Sequence, residues 1–119
     1  EISYIHAEGY SGGALKHGPL ALIETNVVCI FLIDKINKDE MLNCLYEVLA
    51  RDGFCIVITD IVNLEIENNK DILIFLTETS EYIEILFVIF FQCLALELSI
   101  LKGINPDKPR NLAKVVTVQ

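Results

Sequence analysis

Runs of apolar residues and their spacing divide the chain into alternating elements. Val27 to Ile33 reads V-V-C-I-F-L-I, a continuous β-branched and aromatic stretch ending at Asp34. Such a run predicts a strand covered on both faces. From Asn37 to Arg51 the apolar residues Met41, Leu42, Leu45, Val48 and Leu49 recur at the helical period, and Asp52-Gly53 supplies a stop. Phe54 to Ile58 predicts a second buried strand, closed by Thr59-Asp60, and Ile72 to Leu76 a third short one. The polar stretch between them carries Asn68-Asn69, a turn signal. Tyr82 to Lys102 predicts a long helix with Gly103 at its C′ position.

Strands alternating with helices, without hairpin turns, predict an α/β fold with a parallel sheet flanked by helices. Three strands make a thin sheet, so the chain reads as the later portion of a larger domain. Its ends differ from its middle. Ser11 to Pro19 (S-G-G-A-L-K-H-G-P) is glycine-rich, which allows close backbone approach to a ligand or serves as plain loop chemistry. The segment from Asn105 contains Pro106 and Pro109 and predicts an irregular C-terminal tail over 104–119.

Composition narrows the possible functions. Among 119 residues, nine basic and seventeen acidic side chains give a net charge of 9 − 17 = −8, and 53% of residues are apolar. That apolar share argues against disorder. The scattered cations and a pI near 4.6 argue against a nucleic-acid partner. The longest charge-free stretch, Ile85 to Leu96, is twelve residues. A bilayer span needs about 20 apolar residues, so no membrane segment is expected, and the run reads as a helix buried on most of its sides. The chain opens on Glu1 and shows no signal-peptide pattern. Cys29, Cys44, Cys55 and Cys93 are far apart in sequence, which predicts small buried hydrophobes in a reducing compartment, and no zinc site.

Few side chains here work on protons near neutral pH. His17, held between Lys16 and Gly18-Pro19, is either a loop histidine or an acid–base group. His6 is either a packed helix residue or a participant in chemistry. Glu1 and Glu8, seven apart, share a face if that segment is one helix; solvated surface charge is the plainer reading. Lys114, set in L-A-K-V-V-T-V, is a snorkelling surface lysine or an amine nucleophile with a lowered pKa.

Two segments decide among these. Glu1 to Ile23 reads E-I-S-Y-I-H-A-E-G-Y-S-G-G-A-L-K-H-G-P-L-A-L-I, and Pro109 to Val118 reads P-R-N-L-A-K-V-V-T-V. Together they resemble the C-terminal part of the glutamine–fructose-6-phosphate aminotransferase (isomerizing) family, within its second sugar-isomerase (SIS) subdomain. L-K-H-G-P-L-A-L is shared with other SIS domains, whereas the terminal segment is more specific. The resemblance covers essentially the whole chain. It implies a partial flavodoxin-like SIS fold organised as a loop and helix segment carrying catalytic residues (1–23), a strand–helix core (27–103) and a tail (104–119). It implies that Glu1 shuttles a proton between C1 and C2 of the sugar and that His17 helps open the ring, reaching the site of a neighbouring subunit. Lys114 would form a Schiff base with the C2 carbonyl, and Ala113 with the surrounding tail would help close the site. The implied partners are fructose 6-phosphate and glucosamine 6-phosphate, an upstream glutaminase domain and first SIS subdomain, and a second copy in a homodimer. A cytoplasmic setting is expected, and neither cofactor nor metal.

The chain departs from the family pattern at Ala14, where glutamate is usual, at Val115, where serine is common, and at Gln119, where the family ends on glutamate. None of these removes a proton-transferring or nucleophilic group. The family's phosphate-binding loop lies in the first SIS subdomain, so the chain carries key chemical residues without a whole site, and no activity of its own is expected. Two other readings compete: a non-catalytic SIS module that binds a phosphosugar, and a single-domain sugar-phosphate isomerase that needs no ammonia.

Overall fold

The computed structural model describes residues 1–67, 72–76 and 81–110. The elements, in chain order, are α1 (Gly12–Leu15), a 3-10 turn (Pro19–Leu22), β1 (Val28–Ile33), α2 (Lys38–Leu49), β2 (Phe54–Thr59), β3 (Ile72–Phe75) and α3 (Ile83–Leu101). All three strands run parallel in the order β1-β2-β3. Val28 pairs with Phe54 and Ile33 with Thr59, while Ile56 pairs with Ile72. The expected α/β fold is therefore present, with each anticipated strand and helix in place to within a residue or two. The turn expected at Asn68-Asn69 lies outside the described residues.

The chain forms two compact units, Gly9–Phe87 and Glu1–Glu8 with the chain from Val88. In the first, α2 lies across β1 and β2. Its apolar stripe brings Cys44, Leu45 and Val48 against Phe31, Ile33, Cys55 and Val57. Leu45, Val48, Ile33 and Val57 are fully buried. Each such side chain contributes about 1.5–3 kcal/mol by leaving water. Asp34 sets the entry to α2, its Oδ1 accepting from the backbone N–H groups of Ile36 and Asn37 at 2.8 Å. Asn37 Oδ1 accepts in return from the Asp34 N–H at 3.0 Å. Asp39 and Glu40 in the first turn suit the positive end of the helix.

The stop after α2 divides its work between two residues. Asp52 takes the left-handed conformation (φ 59°). Gly53 makes the close approach: a Cβ there would stand 2.6 Å from Val48 Cγ1 and 2.8 Å from Ile23 Cγ2.

Burial departs from expectation on the other sheet face. Phe31 and Ile33 of β1 point into the α2 layer, but Val28 is 57% exposed, and Phe54 of β2 is also exposed. The uninterrupted apolar run therefore did not mean even cover on both sides; α2 shields one face, while on the other Ile58 is fully buried and the strand starts at Val28 and Phe54 stay exposed.

In the second unit α3 ends as Gly103 anticipated. Gly103 has φ 67°. The Gly103 N–H donates to Ile100 O and the Ile104 N–H to Ser99 O, both at 2.9 Å, the paired bonds of a Schellman ending. The Ser99 hydroxyl, fully buried, adds a bond to Ile104 O at 3.1 Å. The expectation that α3 is buried on most sides fails: only 17% of its most apolar window is buried. Val88, Ile89, Leu96 and Ile100 are all exposed. Cys93 on this helix is exposed too, against the expectation of burial; Cys44 and Cys55 are buried as expected, and Cys29 is half-buried.

Candidate active site

Glu1 is exposed at the start of a segment that has neither helix nor strand through Tyr10. The single-helix reading of Glu1 and Glu8 therefore fails. Tyr4, in the left-handed region at φ 53°, is incompatible with a right-handed helix there. His6 is likewise no packed helix residue. Its ring is 87% exposed, and Nε2 lies 3.2 Å from Glu8 Oε1.

His17 follows α1 on an exposed turn, its backbone N–H donating to Ala14 O at 3.1 Å. Gly18 next to it has φ 150° and ψ −56°, a conformation closed to side-chain-bearing residues, and Pro19 then opens the 3-10 turn. The imidazole thus sits on an exposed turn whose shape depends on glycine at 18 and on the fixed φ of Pro19.

The glycine pair before it serves packing. A Cβ on Gly12 would meet Met41 Sδ at 2.8 Å and Cys44 Sγ at 3.4 Å. The Cys44 thiol donates to Gly12 O at 3.2 Å. Glycine here lets the loop sit directly on α2, which connects the His17 turn to the core. Burial, reinforced by Glu47 and Glu40 and opposed by Lys16, pushes the Cys44 thiol up. Burial alone does the same for Cys29. Both thiols stay protonated near neutral pH and are poor nucleophiles.

Beside His17 lies a hollow of about 250 Å³ lined by Lys16, Gly18, Leu20, Ala21 and Arg51. Arg51 was not singled out from sequence; a cation directly after the last turn of α2 was the available signal. Its Nη1 donates to Glu47 O at 2.6 Å. Asp60 was not singled out from sequence either. It is 4% exposed, directly after β2, and its Oδ1 has no hydrogen-bond partner among the described residues. Its signal was an acid at the carboxyl end of a parallel strand, where open α/β sheets hold ligands. Among the described residues no three His, Cys, Asp or Glu side chains are grouped to hold a metal ion.

Glu1 belongs to one compact unit and His17 to the other. Ala113 and Lys114 lie outside the described residues.

The profile of the SIS domain matches residues 1–102. The chain belongs to the SIS-domain family. It is 45% identical over 122 residues to the glutamine–fructose-6-phosphate aminotransferase [isomerizing] of Thermococcus kodakarensis, covering 100% of this chain and 20% of that protein. The same coverage holds for the Pyrococcus horikoshii protein of that name, at 46% identity. This SIS chain thus spans about a fifth of the length of the curated relatives it matches. Among solved structures it is similar to the C-terminal domain of glucosamine-fructose-6-phosphate aminotransferase from Francisella tularensis. There the TM-score is 0.82 at 34% identity, over 90% of this chain and 31% of that one. These likenesses agree with the parallel α/β architecture and with the family resemblance read from the terminal segments.

Proposed function

We propose that this SIS chain is the later part of the second isomerase subdomain of an enzyme that converts fructose 6-phosphate and glutamine to glucosamine 6-phosphate and glutamate. The observation that carries the reading is full-length similarity to proteins of that name, 45% identical across 100% of the chain. In this reading residues 1–23 and 104–119 supply chemistry and residues 27–103 the scaffold.

The roles follow from what the reaction demands. A ketose becomes an aldose through an enediol-type intermediate, so one base must take a proton from one carbon and return it to the next; Glu1 fills that role. Ring opening needs proton transfer at the ring oxygen and the anomeric hydroxyl, the task of His17 on its exposed turn. Lys114 provides the amine that forms an imine at C2 of the open-chain sugar. Ala113 and the residues around it close over the sugar, excluding water from the imine and the incoming ammonia.

The exposed strand starts at Val28 and Phe54 and the uncovered apolar residues of α3 support a place within a larger domain. Exposed apolar surface on that scale marks an interface. The remaining parts are then an upstream glutaminase domain, a first SIS subdomain with the phosphate-binding loop, and a second copy in a cytoplasmic homodimer. On its own the chain makes no glucosamine 6-phosphate.

Borohydride trapping of the full-length parent with fructose 6-phosphate tests this. Wild type gives a covalent sugar adduct on Lys114, and Lys114→Ala gives none. A parent that binds hexose phosphate without any trapped adduct is a phosphosugar-binding module instead.

A further inference from the structure

We infer that Tyr4 and Arg110, supported by Lys102, form a latch that fixes the segment carrying Glu1 to the root of the tail carrying Lys114. Both are then positioning residues for the imine and proton-shuttle steps. The inference rests on the functional reading above and adds to it how two groups 113 positions apart in sequence are brought into register.

Contacts across nearly the whole chain length carry it. The Lys102 ammonium donates to Ser3 O at 2.7 Å, and the Ser3 residue is buried. The backbone N–H of Arg110 donates to the Tyr4 hydroxyl. The Arg110 guanidinium stands 4.3 Å from the centroid of the Tyr4 ring, a cation–π geometry. Tyr4 itself holds φ 53°, a conformation that costs energy for a residue with a side chain and persists only where surroundings enforce it. The first eight residues accordingly cluster with the end of the chain, not with the residues next to them in sequence.

The path from α3 to Arg110 is itself fixed. The Gly103 ending turns the chain, Asn105 Oδ1 accepts from the Asp107 N–H at 2.9 Å, and Pro106 and Pro109 restrict the backbone. From this anchor, chain geometry bounds the reach of both reacting groups. Glu1 is three residues from Tyr4 and Lys114 four from Arg110. At about 3.3–3.6 Å per residue, their Cα atoms lie within roughly 11 and 14 Å of the latch in any conformation. With the Glu1 segment held to Arg110, fewer arrangements are searched before the base and the amine meet the same sugar. Lys102 and Arg110 are exposed, so the contacts add little to a core. Their value lies in register.

The test uses the full-length parent enzyme and measures steady-state kinetics, imine trapping and glutamine hydrolysis. Tyr4→Leu removes both the ring and the hydroxyl; kcat and the trapping rate fall about 10- to 100-fold, the scale of a small misplacement of reacting groups. KM for fructose 6-phosphate stays within about threefold and glutamine hydrolysis is unchanged, because neither depends on register. Tyr4→Phe and Arg110→Ala each remove one contact and lose roughly three- to tenfold, and Arg110→Lys recovers most of the loss by keeping a cation over the ring. The Tyr4→Leu/Arg110→Ala double variant is no worse than Tyr4→Leu. Losses that multiply in the double variant, or single variants with wild-type kcat, overturn the latch. Should Tyr4→Leu not fold, Tyr4→Phe and Arg110→Ala decide the matter by the same criterion. An unmodified parent that traps no sugar overturns the functional reading; one that traps, with variants that trap equally fast, overturns the latch alone.

Discussion

The two compact units are held by different forces. Gly9–Phe87 is organised by burial: Leu45, Val48, Ile33 and Val57 have no exposed surface, and its loops end on close approaches such as Gly53 against Val48 and Ile23. Glu1–Glu8 with the chain from Val88 is organised by directed contacts, with Lys102 on Ser3, Arg110 on Tyr4 and the Ser99–Ile104 ending of α3. Its largest element leaves most of its apolar surface bare. The first arrangement yields a rigid scaffold. The second yields precise placement with little burial of its own, which suits segments proposed to carry reacting groups.

Truncating the scaffold tests the contrast most severely. Leu45→Ala opens a cavity where α2 meets the sheet, and the expected loss is about 2–5 kcal/mol by urea denaturation. Among the described residues of the second unit no apolar truncation matches it. Gly103→Ala forces a side chain into the left-handed region and costs about 1–2 kcal/mol, with fraying of α3 visible as lost amide protection near Ser99 and Ile104.

Val88→Glu sharpens the comparison further. Val88 is exposed, so stability of this chain alone changes by less than about 0.5 kcal/mol. In the full parent, where further domain surface is proposed to cover α3, the same substitution costs several-fold more. Equal, small effects in both settings remove the case for a buried interface there.

The smallest effect is a pH dependence confined to the scaffold. The Cys44 thiol is pushed up, by burial first and then by Glu47 and Glu40, so the folded state holds that proton more tightly than the unfolded one. Its contribution is complete below the ordinary thiol pKa of about 8.5 and is lost as pH rises beyond it. Denaturation midpoints at a series of pH values above neutrality show a decline that Cys44→Ala makes shallower.

Local chemistry made most of the fold legible. The β-branched runs of β1 and β2, the period of α2 and the Gly103 stop each depend on residues within one or two turns of one another, so their structure is written where they stand. The family resemblance was equally local, in the K-H-G-P turn and the terminal P-R-N-L-A-K segment. Only tertiary structure decided which side of the sheet α2 covers, since an apolar run does not say whether a second layer is present to meet it. Arg110 lies 106 residues after Tyr4, and Gly12 32 residues before Cys44. No local pattern encodes contacts over such separations. They exist because closing long loops costs entropy that the assembled fold offsets, and that balance is set by the whole chain.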